Sequence, residues 1–123
     1  MKVLALDYGS TRTGVAVSDP TGTIARPIGV VEYVGTPAGF EQLRAVIAAE
    51  EPERVLVGLP LTLRGEYGEQ AEETERFARR LQDVVDCRVE LFDERFTSVL
   101  ADGDDAQAAA HLLSSYLEWS RDR

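Results

Sequence analysis

The run Lys2-Val3-Leu4-Ala5-Leu6 is almost wholly apolar and closes on Asp7. A run that short and continuous predicts a central strand buried on both faces. Gly14-Val15-Ala16-Val17-Ser18 reads as a second strand, joined to the first by a loop over Tyr8-Gly9-Ser10-Thr11-Arg12-Thr13 and followed by an Asp19-Pro20-Thr21-Gly22 turn. A third strand is expected between Ile24 and Val34, with Pro27 pointing to an edge position or a bulge. Thr36-Pro37 then supplies a cap and a first-turn proline, and Phe40, Leu43 and Ile47 recur at helical spacing up to Glu50. Arg54 to Leu59 is another buried strand around Val55-Leu56-Val57. Ala71, Thr74, Phe77, Ala78, Leu81 and Val85 form one apolar stripe on a helix from about Glu69 to Val85. Val89 and Leu91 alternate with Arg88 and Glu90 in a last strand that enters Phe92-Asp93-Glu94-Arg95. A final helix over Asp104 to Trp119 is apolar through Ala108, Ala109, Leu112, Leu113 and Tyr116.

The order is βββ-α-β-α-β-α. Short connections make the first three strands an antiparallel meander, and the strand–helix–strand step predicts a parallel pairing with the first strand. An α/β domain with a five-stranded mixed sheet flanked by helices follows, the arrangement of the RNase H fold. No repeat, low-complexity tract or linker divides the chain, so residues 1–123 are read as one domain, a length near the common ~100–150 residues.

Composition narrows the class. With 44% hydrophobic and 28% charged residues the chain has the make-up of a soluble globular protein. Its N-terminus lacks a secretory apolar region and cleavage site, and no apolar run approaches the ~20 residues that cross a bilayer. Cys87 is the only cysteine, so it is expected to be a free structural thiol in a reducing cytoplasm. The net charge of −9 opposes broad adhesion to phosphate backbones. Acids clustered at a metal site would change that, because a bound divalent cation reverses the local field.

Three carboxylates have positions suited to such a site. Asp7 ends a buried strand, Glu94 follows a strand that should lie near it in the sheet, and Asp105 sits in the first turn of the last helix. Gathered at one sheet end they would repel one another unless a cation joined them. Mg²⁺ takes oxygen ligands and keeps waters and substrate phosphate oxygens in its other positions. A water so bound becomes a nucleophile for phosphodiester displacement. Plainer explanations stand beside each acid: Asp7 as a turn cap, Glu94 and Asp93 as surface partners of Arg95, and Asp105 as an acid favoured by a helix N-terminus.

Asp7-Tyr8-Gly9-Ser10-Thr11-Arg12-Thr13-Gly14-Val15-Ala16-Val17-Ser18-Asp19 resembles the opening signature of the YqgF (RuvX) family, RNase H-fold proteins known as pre-16S rRNA nucleases or Holliday-junction-resolvase-like proteins. Val57-Gly58-Leu59-Pro60-Leu61, the stretch from Gly65 through Gly68 and Gln70 to Ala71, and Asp93-Glu94-Arg95-Phe96-Thr97-Ser98 agree in order. The closing helix, from Asp105 through Leu113 to Tyr116-Leu117, is similar as well.

The resemblance spans essentially the whole chain. It implies a Mg²⁺- or Mn²⁺-dependent nuclease acting in maturation of the pre-16S rRNA 5′ end and on branched DNA. Asp7, Glu94 and Asp105 stand at the family's metal-binding acids, with Asp93 in reserve. Arg12 and Arg95 match motif arginines whose forks suit phosphate, or else orient carboxylates. Arg64 lies in a glycine-bearing loop able to approach a backbone, or else is a solvated charge. Thr97 and Ser98 either donate to phosphate or cap the turn that follows. His111 is expected to be a half-exposed helical residue, and Tyr116 and Trp119 core or interface residues.

Relatives usually carry a longer, Lys/Arg-rich segment before the last helix, where this chain has only Val99-Leu100-Ala101-Asp102-Gly103-Asp104. Either that basic element is absent from the protein or a loop is missing from the chain. Two other function classes compete with this one. A strand followed by Asp-x-Gly also occurs in sugar kinases and actin-like ATPases, but those need two lobes around a nucleotide, and no Gly-x-x-x-x-Gly-Lys-Ser/Thr loop is present. A weakly catalytic or non-catalytic nucleic-acid-binding, ribosome-assembly factor fits the acidic balance. The expected partners are structured RNA or DNA and no membrane, with a homodimer attractive for a junction-cutting role.

Overall fold

A computed structural model of the chain describes residues 1–60, 68–93 and 105–121. Five strands run β1 (Val3–Asp7), β2 (Arg12–Ser18), β3 (Ala25–Glu32), β4 (Arg54–Leu59) and β5 (Arg88–Asp93), and three helices are α1 (Pro37–Glu50), α2 (Glu69–Gln82) and α3 (Asp105–Arg121). They form one sheet in the order β3-β2-β1-β4-β5. β1, β2 and β3 pair antiparallel, whereas β4 joins both β1 and β5 in parallel. The expected meander, the parallel step and the five-stranded mixed sheet are all present.

The continuous apolar runs arise because the sheet is covered on both faces. Leu4, Leu6, Val15, Val17, Val55 and Val57 pack with Leu43 and Ile47 of α1 and with Phe77, Ala78 and Leu81 of α2. The residues between them, Val3, Ala5, Ala16, Leu56 and Phe92, pack with Ala109, Leu112, Leu113, Tyr116 and Leu117 of α3. Side chains alternate between faces along a strand, so position parity assigns each residue to the α1/α2 face or to the α3 face.

Two boundaries differ from the sequence-based expectation, and the edge position and bulge expected at Pro27 are present. β2 begins at Arg12, inside the expected loop, because Thr13 is fully buried and its hydroxyl bonds back to the Gly9 carbonyl at 3.2 Å. α2 ends at Gln82 rather than Val85; the amides of Val84 and Val85 both turn back to the Leu81 carbonyl, and Val85 still packs on the core. β3 is an edge strand, and its register against β2 slips between Val15 and Ala16, so Ile28 is the extra residue beside Pro27. Proline at an edge bulge leaves no ladder bond broken.

Capping and polar pairing fix the rest. The Thr36 hydroxyl accepts from the Gly39 amide at 3.1 Å, with Pro37 opening α1 as expected. On the α3 face, the Arg54 guanidinium donates to the Tyr116 hydroxyl at 2.6 Å, that hydroxyl donates to Glu90 at 3.1 Å, and Arg54 lies 3.2 Å from Glu90. This triad satisfies the polar end of a buried tyrosine and ties α3 to β4 and β5. Trp119 tilts against Phe92 and Tyr116 at ring separations of 5.7 and 6.0 Å. Cys87 is a free thiol, and burial pushes its pKa up. No helix among the described residues is long and apolar enough to cross a membrane.

Candidate active site

Asp7 is the last residue of β1, at the sheet end where β1, β4 and β5 all finish their parallel run. Its pairing partner in β2 is Gly14. Both have the parity of Val3, Ala5 and Ala16, which is that of the α3 face. Asp7 is half-buried, as befits an acid closing an apolar strand at a rim.

Gly14 brings the third element in. A Cβ built on Gly14 would lie 1.8 Å from the carbonyl oxygen of Asp105 and 2.9 Å from the amide of Ala106. The first turn of α3 therefore sits directly on the β2 backbone, beside the residue paired with Asp7. Two of the three expected acids, Asp7 and Asp105, thus belong to elements that come together on one face of one sheet end. Arg12, one pleat before Gly14, holds the Asp105 carboxylate through its Nε at 3.0 Å. Both partners of this ion pair are open to solvent, with side chains 55% and 38% exposed, so the contact orients more than it stabilises.

Glu94, Arg95 and Arg64 lie outside the described residues, as do Thr97, Ser98 and the 99–104 segment. Asp93 is described: it ends β5 opposite Leu59 of β4, two strand spacings or about 9–10 Å across the sheet from the β1 line. Leu91 packs on the α1/α2 side and Phe92 on the α3 side, so alternation gives Asp93 the parity opposite to Asp7. His111 is half-exposed as expected. Among the described residues, no three His, Cys, Asp or Glu side chains come together closely enough to hold a metal ion. Asp7 and Asp105 still provide the hard oxygen donors that Mg²⁺ or Mn²⁺ accepts, and Mg²⁺ commonly uses only one or two carboxylates beside substrate oxygens.

The turn after β1 depends on Gly9, where a Cβ would meet the Arg12 carbonyl oxygen at 2.5 Å. The same turn aims Tyr8 at α2, where its ring stacks on Phe77 with centroids 4.4 Å apart. Burial lifts the Tyr8 phenol above its ordinary pKa, and the charge of Glu73 adds to the effect against Arg80 and Arg76. A cleft of about 210 Å³ opens beside this turn, bordered by Asp7, Tyr8, Pro60, Gln70 and Glu73. Gly14 and Gln70 stand in the sequence motifs without a site role, and Glu73 stands in none. Their positions are set by tertiary contact; only the i,i+3 spacing of Gln70 and Glu73 on one helix face was available beforehand.

Residues 1–119 match the family described as "RuvX: Holliday junction resolvase". A relative from Chloroflexus aurantiacus, named "Putative pre-16S rRNA nuclease", is 45% identical over 100 residues, covering 81% of this chain and 65% of its own. The chain thus spans just under two thirds of that relative. A protein of the same name from Syntrophomonas wolfei is 33% identical over 133 residues, with 96% and 94% covered. Among solved structures, Thermus thermophilus RuvC in complex with a Holliday junction substrate superposes with a TM-score of 0.61 at 15% identity, over 99% of this chain and 96% of that one. A second RuvC structure from the same organism gives 0.54 at 17% identity, over 99% and 97%. At such identities these two likenesses concern the fold alone.

Proposed function

The chain belongs to the RuvX family, and from that premise we propose that it is a divalent-metal-dependent nuclease that hydrolyses phosphodiester bonds in structured RNA or branched DNA. The observation that carries the reading is the approach of the first turn of α3, which begins at Asp105, to Gly14, the pairing partner of Asp7. Arg12 offsets the charge of Asp105, and a divalent cation would offset both carboxylates at this rim.

Asp7, Asp105 and Glu94 hold the metal in this proposal. Glu94 is preferred to Asp93 because Asp93 has the parity of the α1/α2 face, opposite to that of Asp7. When bound, Mg²⁺ or Mn²⁺ supplies charge neutralisation at the phosphate and an activated water. Arg12 orients Asp105 and offers its remaining guanidinium N–H groups to a phosphate oxygen. Arg95 and Arg64 extend that backbone contact. Together these cations offset the repulsion expected from a net charge of −9. The names of the relatives point to pre-16S rRNA as the substrate, which fits the proposed processing of its 5′ end in the cytoplasm.

The test is incubation of the purified protein with labelled structured RNA, single-stranded DNA and a four-way junction, with Mg²⁺, Mn²⁺ or EDTA. Metal-dependent cutting of one of these, abolished by Asp7→Asn, is the expected result. Cutting unaffected by Asp7→Asn would remove the site from consideration. Binding without any cutting would favour a ribosome-assembly factor of the same fold, a reading that the acidic net charge suits.

A further inference from the structure

We infer that the cleft between the β1–β2 turn and α2 is a base-recognition pocket, taking the guanine of the nucleotide next to the scissile phosphate and reading it with Gln70 and Glu73. The inference rests on the nuclease reading above for its position and on the cleft's own chemistry for its ligand. Asp7 borders the cleft at the rim of the sheet, so a phosphate held at that rim has its adjoining nucleoside within reach of the α2 face, opposite the α3 face whose parity Asp7 shares. At about 210 Å³ the space falls below the roughly 300–1,000 Å³ of sites for drug-sized ligands. That is a space for one planar ring system, not for a dinucleotide.

Charge decides which part of the nucleotide enters. Among the described residues that line the cleft there is no lysine or arginine, and Glu73 is one of them. Arg76 and Arg80 act on the Tyr8 phenol from a distance but do not border the space. A phosphate would be repelled there, whereas a base edge rich in N–H donors would be held. Gln70 and Glu73 are one helical turn apart on α2, and neither side chain hydrogen-bonds to another described residue. A carboxylate accepts from two adjacent donors, and an amide nitrogen donates to a neighbouring carbonyl. The Watson–Crick edge of guanine presents that order: two N–H donors, N1 and N2, beside the O6 acceptor. Tyr8, braced from behind by Phe77, adds an aromatic wall of the kind on which unpaired bases stack.

The experiment measures cleavage of four otherwise identical oligonucleotides of the substrate type cut by the wild type, with G, A, C or U (T) next to the cut, using wild type, Glu73→Gln and Gln70→Ala. Mononucleotide titrations of the same three proteins, followed by amide NMR, run alongside. Guanine should be preferred by about tenfold or more, since a good bidentate base contact discriminates by that order. Glu73→Gln should level the preference, and GMP alone should shift the amides of residues 70–74 in the wild type. Equal cutting of all four substrates, or a preference that survives both substitutions, would overturn the pocket. If the wild type cuts nothing, the nuclease reading fails by itself; the titration then decides, since selective GMP shifts lost in Glu73→Gln uphold the pocket and their absence rejects it.

Discussion

The carbonyl oxygen of Asp105 occupies the space a side chain on Gly14 would need, 1.8 Å from where the Cβ would stand. Since Gly14 is the pairing partner of Asp7, one missing methyl group sets how near the third helix comes to the end of the first strand. Glycine is needed here for proximity, as no left-handed backbone is involved. The metal-site reading therefore makes demands on a residue that ligates nothing.

Gly14→Ala tests this directly. The new methyl meets backbone rather than a side-chain tip, so α3 must withdraw or the strand must bend. Overpacking of this kind costs about 1–3 kcal/mol, visible as a lowered midpoint in chemical denaturation. Nuclease activity should fall further than stability, by tenfold or more at a temperature where circular dichroism shows the protein folded, because Asp105 moves with its helix. An alanine variant with unchanged midpoint and rate would show that the two elements do not touch in solution.

Arg12→Ala separates orientation from stability. The Arg12–Asp105 pair is open to solvent, and exposed pairs contribute only about 0–1 kcal/mol, so the denaturation midpoint should hardly move. If the arginine also meets a phosphate, substrate binding weakens and the slope of log affinity against log salt falls by about one unit. Arg12→Lys should restore the slope but only part of the cleavage rate, because lysine carries the charge without the fork. A large loss of stability with normal binding would make Arg12 a structural residue only.

The legible part of this protein was the part governed by alternation and burial. β1, β2 and β4 could be read as central strands because both of their faces are covered, and Asp7 stood out as the acid that ends the most apolar of them. Asp105 could not be told from an ordinary helix-start acid until β2 was placed beneath it. The Arg12-Thr13 pair reads as loop by composition, yet Thr13 is buried with its hydroxyl turned to Gly9, which only the tight turn allows. Asp93 and Glu94 were inseparable in the sequence; the packing of Leu91 and Phe92 on opposite faces gives Asp93 the parity opposite to that of Asp7. Gln70 and Glu73 belong to a solvated helix face by every local criterion, and acquire meaning from the turn that faces them.

Asp19 makes the folded state sensitive to acid. Its carboxylate accepts from the amides of Thr21, Thr23 and Ile24 at 3.2, 2.8 and 2.7 Å, and from the Thr21 hydroxyl, closing the turn between β2 and β3. These hydrogen bonds, led by that from Ile24, hold its pKa well below the usual carboxylate range. A carboxyl group whose pKa is depressed on folding stabilises the native state fully above its unfolded value near pH 4, and loses that contribution as the pH falls toward the folded value. Asp19→Asn keeps one acceptor but removes the charge. The wild type should therefore be the more stable of the two at pH 7, with the gap closing as the pH drops below about 4. Urea denaturation of both proteins from pH 7 to pH 2.5 measures it; a gap that stays constant across that range would mean that the charge on Asp19 plays no part in holding the turn.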